Sequence, residues 1–303
     1  MEFVQVMSDL LQHHWSQTSQ RLMNACPRAW AHSYGQPHRG SPLINNKHPT
    51  KNRPLNRPND LRIRIGRRAM MERFEDLYQS KAWSEDYVHR RLSEILTHEC
   101  WLHRLQVDQT KQKGMIQAVH GAMESLKRTR VLGPLFRHEP RRWAYFQRFD
   151  AVNIGRISLY ATPDIAIFHQ NKWSLVRIRW ASKGEEQSEV LEDTLMLHWA
   201  LNHPGFPNDV SMFRLRTVTW NKRSWIERAI EINPTQLEAS WSLLEHDLQE
   251  MSWIRRCIAA DPSFDSLPLA QNEQHCRTCK HKQTCPAKNG LFEAKQRRRR
   301  KGQ

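Results

Sequence analysis

The sequence predicts an α/β protein in which a mixed central sheet is flanked by helices, and three observations predict it. Helical periodicity dominates residues 61–142. From Trp143 onward the composition shifts to short runs rich in aromatic and β-branched residues, the side chains that fit a pleated surface. Two amphipathic stretches then bracket one further run of this kind, so that strand and helix alternate toward the C-terminal end.

Taken in order, residues 1–34 carry two short helical patterns. Phe3, Val4, Met7, Leu10 and Leu11 form one apolar stripe, and Leu22, Ala25, Cys26 and Ala29 form another within Ser16–Trp30. Residues 35–60 hold five prolines, two glycines and several asparagines, the composition of a surface loop or connection. In the helical segment 61–142, Ser84 precedes Glu85 and Asp86 as an N-cap, and Tyr87, Leu92, Ile95 and Leu96 mark the apolar stripe. Gly114 and Gly121 weaken the last of its helices. Strands are expected over Trp143–Phe149, Ile157–Tyr160, Asp164–Phe168 and Trp173–Trp180. Only the polar His169–Lys172 separates the last two, so they should pair as an antiparallel hairpin. Gln187–Asn202 reads as a helix, Val210–Trp220 as a strand, and Pro234–Ala260 as a long helix entered through Asn233 with proline at its first position. The α/β core is expected over 143–262, followed by a cysteine-rich segment, 263–290, and a basic tail, 291–303.

A chain of 303 residues with 12 Trp, 10 Phe and 39% hydrophobic residues is too rich in core-forming side chains to be disordered. Its 47 Lys plus Arg against 31 acids leave a formal charge of +16, which makes a polyanion the natural partner. The excess is clustered in Arg62, Arg64, Arg67 and Arg68, in Lys127, Arg128, Arg130, Arg137, Arg141 and Arg142, and in Lys295 with Arg297 to Lys301. Clusters favour a binding patch over a diffuse halo. No apolar run approaches the roughly 18–20 residues that span a bilayer, and Met1 to Ala25 lacks the design of a signal peptide. The expectation is a cytoplasmic protein that makes no use of a membrane. In a reducing compartment six cysteines invite a metal before a disulfide.

The strongest local signal is Cys276-Arg-Thr-Cys279, followed after five residues by Cys285-Pro286. A C-x2-C turn aims two sulfurs at one point, so three thiolates this close suit one metal centre. The fourth ligand is missing from the tail. Cys26, in Cys26-Pro27-Arg28-Ala29-Trp30, is one candidate, whereas Cys100 and Cys257 fall within helical patterns and read as small buried residues. His281 or His275 is another, and would complete a local zinc site without Cys26.

An early Cys-Pro-Arg followed by an aromatic, a strand ending in Asp, a further strand and a late C-x2-C-x5-C-Pro together resemble the RecB-like branch of the PD-(D/E)XK nucleases. The similar members are the CRISPR-associated RecB-like exonucleases and the AddB-type nuclease domain. The likeness runs from Ser16 to Pro286, but is dense only at both ends and over Ile157–Ala200. It implies a restriction-endonuclease-like core, with residues 61–142 as a helical insert. It also implies a [4Fe-4S] cluster held by Cys26, Cys276, Cys279 and Cys285, clasping the N- and C-terminal segments, with zinc as the alternative.

A nuclease of this kind needs two carboxylates on adjacent strands for Mg²⁺ and a lysine near the attacking water. Side chains on a strand alternate faces, so positions i and i+2 enter the same site. Asp164, in Thr162-Pro163-Asp164-Ile165, fits the first carboxylate. The frame of the second motif falls on Trp173–Trp180, with Arg177 and Arg179 where the family has its acid and lysine. The branch with a histidine ligand places it four residues after a glycine, and here Gly66 is followed by Met70. Trp199-Ala200 resembles the Tyr-Ala of the following helix, without its glutamine.

Two cations beside Asp164 repel a divalent metal, and their other use would be to contact a phosphate. The expectation is therefore a degenerate nuclease in which Asp164 is a remnant, and in which Arg177, Arg179, Arg67, Arg68, Arg141 and Arg142 bind nucleic acid, DNA by the resemblance. A helicase or a separate nuclease would be its protein partner. The alternative is an active metal-dependent DNA exo- or endonuclease whose acids have moved to the next helix, where Glu185, Glu186, Glu189, Glu192 and Asp193 cluster and Lys183 replaces the lysine. The plain reading of those acids is a solvated helix face.

Overall fold

The structure, a computed structural model, describes residues 13–35, 58–181, 186–231, 233–264, 266–270 and 272–277, with Cys279, His281 and Cys285; for 58–60, 186–188, Glu273 and Arg277 it describes the backbone alone. The stripe from Phe3 to Leu11, most of the proline-rich loop, Lys183, Glu185 and the basic tail lie outside the described residues.

In chain order the elements are β1 (His13–Ser16), α1 (Gln17–Ala25), α2 (Pro27–Trp30), α3 (Pro58–Tyr78), α4 (Glu85–His103), α5 (Gln109–Leu126) and α6 (Gly133–Phe136). These are followed by β2 (Trp143–Tyr145), β3 (Val152–Ile154), β4 (Ile157–Tyr160), β5 (Ile165–His169), β6 (Lys172–Arg179) and α7 (Glu186–Leu201). Last come β7 (Phe213–Trp220), β8 (Trp225–Ile230), α8 (Pro234–Ala260) and α9 (Glu273–Arg277). Among the described residues this is an α/β protein with two sheets, and the chain divides into two compact units. Among the described residues no helix is long and apolar enough to cross a membrane.

One unit comprises Met1–Arg53, Asn153–Leu159 and Trp241–Gln303. Ser16 caps α1 by accepting from Ser19 N, and Pro27 divides the expected Ser16–Trp30 helix by leaving Cys26 extended between α1 and α2. Trp15 donates to Asp247 at 2.8 Å and Trp30 to Ser19 at 2.8 Å, so both of these buried indole N–H groups have an acceptor. The strand β4 pairs here with β1 and β3. Ile157–Tyr160 is thus a strand as expected, in a sheet separate from the other three runs.

The second unit comprises Pro54–Val152 and Tyr160–Ser240. Its five-stranded sheet has the order β2-β5-β6-β7-β8. β2, β5 and β6 form an antiparallel meander, α7 crosses over, and β7 then runs parallel to β6, with β8 antiparallel at the edge. The β5–β6 hairpin closes through Gln170 and Asn171, both at positive φ, the two-residue turn that suits the strand twist. α3, α4 and α5 share a core with β5 and β6 built from Leu61, Ile65, Phe74, Leu92, Leu96 and Met123 beneath Ile165 and Ile178. Ser84 caps α4 as expected, accepting from Tyr87 N at 3.2 Å. Val210–Met212 is a 3-10 turn, so the strand expected from Val210 begins at Phe213.

Gly66 serves packing: a Cβ there would lie 2.6 Å from a ring carbon of Trp180. Met70, one turn on, is buried in the core. Gly66 and Met70 therefore lie on a face of α3 that packs inward, and Met70 serves the core.

Candidate functional site

Asp164 stands immediately before β5. Its N–H donates to Val176 O at 2.9 Å, and its Oδ2 accepts from Ile178 N at 2.7 Å, which fixes the carboxylate against β6. Alternation along β6 sends Arg177 and Arg179 to one face. α7 brings Glu192 and Asp193 to the same place. Asp164 is 2% exposed, Arg177 1% and Arg179 9%, and both helix acids are buried.

The pairing is dense. Arg179 donates to Asp193 Oδ1 at 2.7 Å and Oδ2 at 3.0 Å, and to Glu192 Oε2 at 3.0 Å. Arg177 stands between two carboxylates, 3.8 Å from Asp164 Oδ2 and 3.5 Å from Glu192 Oε1. Arg148, just beyond β2, forks onto Asp164 at 2.7 and 2.9 Å and also donates to Ile178 O at 2.8 Å. Three carboxylates thus face three guanidiniums.

Burial and charge compete at each group. Burial acts to raise the Asp164 carboxyl, but Arg148 and Arg177, the Arg148 hydrogen bonds and the Ile178 N–H together hold it well below the usual carboxylate range. Glu192 behaves alike: burial pushes up, and Arg177, Arg148 and Arg179 bring it below its ordinary value. Asp193 goes the other way, because burial outweighs Arg179 and raises it. Arg67 on α3 is exposed as a residue, yet the charge of Arg148 and then desolvation push its guanidinium down to about 10, with Asp164 and Glu192 opposing; at neutral pH it stays a cation.

Several expectations are corrected. Arg177 and Arg179 are buried, on a central strand rather than an exposed sheet edge, and their guanidiniums are committed to carboxylates rather than offered to a phosphate. Glu192 and Asp193 are not part of a solvated helix face, because the arginines of β6 draw them inward. Arg68 is held by Glu72 at 3.2 Å and Glu99 at 3.8 Å. Arg141 and Arg142 are exposed, and Arg142 lies over the rings of Phe168 and Trp173 at 4.8 and 5.4 Å. Asp164, Arg177 and Arg179 do come together, and Arg67 lies in their field. The residue missed is Arg148, which sits in a run expected as strand; the strand ends at Tyr145, and the chain then turns Arg148 onto Asp164. The only available signal was that a carboxylate beside two arginines in an apolar frame draws in further charged partners.

The cysteine segments meet within the first unit. His275 Nδ1 lies 3.2 Å from Ala25 O, which sets the residue before Cys276 against the residue before Cys26. Arg28 donates to Leu267 O at 2.7 Å, and His281 contacts Ser33 at 3.1 Å and stacks on His32. Cys279 N donates to Cys276 O at 3.3 Å, and Cys285 N to His281 O at 2.8 Å. All four thiols are half-buried and none is in a disulfide. A single zinc with sulfur at about 2.3 Å brings its donors within about 4 Å of one another. Among the described residues no cysteine belongs to a set of three ligand atoms within 4.8 Å. His281 is engaged with Ser33 and His32.

Comparison of the chain with protein-family models, with curated proteins and with solved structures finds no match.

Proposed function

We propose that this is a nucleic-acid-binding protein derived from a RecB-like PD-(D/E)XK nuclease, in which a fixed ionic cluster has replaced the metal site, and that it holds DNA for a separate helicase or nuclease. The observation that carries the reading is Arg177, whose guanidinium lies between Asp164 and Glu192. Two acids on neighbouring elements would otherwise need a divalent ion between them. Here a covalently attached cation neutralises them, and a metal would have to displace it from a position 1% exposed. Without a bound metal there is no activated water for phosphodiester hydrolysis by the family's route.

The three-strand meander, the crossover helix α7 and the parallel β7 suit the PD-(D/E)XK core. The formal charge of +16 suits a polyanion. With Arg177 and Arg179 committed inside, Arg67, Arg141 and Arg142, and in part Arg148, are among the cations available to phosphate. Phe149, 68% exposed beside Arg148, is suited to stack on a base. Cys26, Cys276, Cys279 and Cys285 would hold a [4Fe-4S] cluster, whose thiolate bonds tie the segment after α1 to the C-terminal segment.

The active-nuclease reading draws on one observation, the entry of Glu192 and Asp193 into the site, but both are held by Arg179. Purified full-length protein, assayed with Mg²⁺ and Mn²⁺, is expected to bind DNA with strong salt dependence and to leave it uncut. Arg67→Glu should weaken binding to all sequences and flatten the salt slope. Cleavage that requires metal and vanishes with Asp164→Ala would falsify the proposal. For the clasp, anaerobically prepared protein should contain iron and sulfide and lose both with Cys26→Ser. One zinc that is indifferent to Cys26 would replace the cluster.

A further inference from the structure

A second cluster of ligand-type side chains lies in the helical segment, apart from the residues discussed above. Glu85 and His89 are four residues apart on α4 and so share a face, one turn above the other. His120 comes from α5. One donor atom from each of the three lies within 4.8 Å of both others. The His89 and His120 rings approach to 4.6 Å between centroids, tilted by 52°.

This arrangement is poorly explained as packing. Two half-buried imidazoles directed at each other repel when protonated, and Glu85 at the rim adds a carboxylate where α4 has already been capped by Ser84. Glu124, one turn beyond His120, is committed to Arg73 at 3.1 Å and Lys127 at 2.5 Å, so it acts on His120 only through its field.

We propose that Glu85, His89 and His120 bind a first-row transition-metal dication, zinc before the others by abundance of this ligand set, and so pin α4 to α5. Two imidazoles with one carboxylate suit Zn²⁺, Co²⁺, Ni²⁺ or Cu²⁺ and select against Mg²⁺ and Ca²⁺, which take oxygen ligands. Three protein donors leave a position for water. The site is independent of the cysteines and of the nucleic-acid reading.

The test is calorimetric titration of Zn²⁺ into the full chain, purified with its cysteine site intact and dialysed against a chelator. One site is expected. His120→Ala should abolish it, and Glu85→Gln should weaken it by at least roughly tenfold, the lower end of what even outer-shell partners cost. Cys279→Ser should leave it unchanged. Glu85 is exposed, so its variant carries the test should His120→Ala fail to fold. Co²⁺ in the same site should give weak visible bands without thiolate charge transfer. Equal Zn²⁺ binding by the unaltered chain and Glu85→Gln, loss of the titrated site in Cys279→Ser, or no site tighter than about millimolar would each overturn the proposal.

Discussion

Replacing Arg179 by methionine keeps much of the side chain's length and removes its charge, which isolates what the guanidinium does in the buried cluster. Asp193 would lose both of its bonds to Arg179, at 2.7 and 3.0 Å, while Glu192 would lose one and keep Arg177 at 3.5 Å. Breaking a buried ion pair by removing one partner costs about 3–5 kcal/mol, because the remaining charge stays desolvated. Against a total of about 5–15 kcal/mol for a folded domain, the loss is large. Its pH dependence has a definite sign. The Asp193 carboxyl is already raised by burial, and without Arg179 it rises further. A raised carboxyl favours the folded state at low pH and loses that advantage as pH rises through its folded value, so the deficit should be widest near pH 7 and should narrow toward the carboxylate range. Urea denaturation followed by circular dichroism at about pH 7 and about pH 5 reads both effects. In the double variant with Asp193→Asn, part of the loss should return as coupling. A single-variant loss below about 1 kcal/mol at neutral pH, where an intact buried pair requires more, or strict additivity in the double variant, refutes the reasoning.

Gly114→Ala and Gly121→Ala should each stabilise α5 by about 0.5–1 kcal/mol, since a Cβ at either position meets nothing within 4 Å and the helix gains propensity; chemical denaturation of the two variants decides it. Gly66→Ala should destabilise the protein, because its Cβ would lie 2.6 Å from the Trp180 ring, and an unchanged midpoint would count against the packing role assigned to this glycine. Asp164 and Glu192, both depressed in the folded state, should contribute stability above their unfolded values of about 4 and lose it as pH falls through their folded values. The acid limb of a stability-versus-pH curve should accordingly be shallower in Asp164→Asn, and an unaltered limb would show that Asp164 is not linked to acid unfolding.

The helices and most strands were legible because their signals are local. Ser84 with its following acids marks the start of α4, and Asn233-Pro234 marks that of α8, where Asn233 accepts from Gln236 N at 2.8 Å while Gln236 reaches back to Asn233 N at 3.2 Å. β8 was not legible. Its Trp-Ile-Glu-Arg-Ala-Ile has charge at its centre, as an exposed edge strand tolerates, and only the Asn221 turn before it hinted at a hairpin. β1 and β3 are too short to carry a period, and the sheet they form with β4 joins segments more than a hundred residues apart. No local pattern encodes that pairing.

The charged cluster shows what alternation can and cannot deliver. The spacing of Arg177 and Arg179 places both on one face of β6, but a period of two is silent on whether that face meets solvent or a helix. The answer lies in α7, whose Glu192 and Asp193 are consecutive, a spacing that no single-faced apolar stripe on a helix explains. Consecutive acids look solvated unless cations wait beneath them. Arg177 and Arg179 supply those cations, and Arg148 supplies the third against Asp164, so each element carries charge that makes sense only in the presence of the others. Exposure then divides the arginines by role. Those inside balance the carboxylates and fix the elements that carry them, while Arg67, outside but within the same field, remains charged at neutral pH and available to an incoming anion. Reversal of charge at Arg67 therefore tests the proposed binding, whereas reversal at Arg177, 1% exposed, would test only folding.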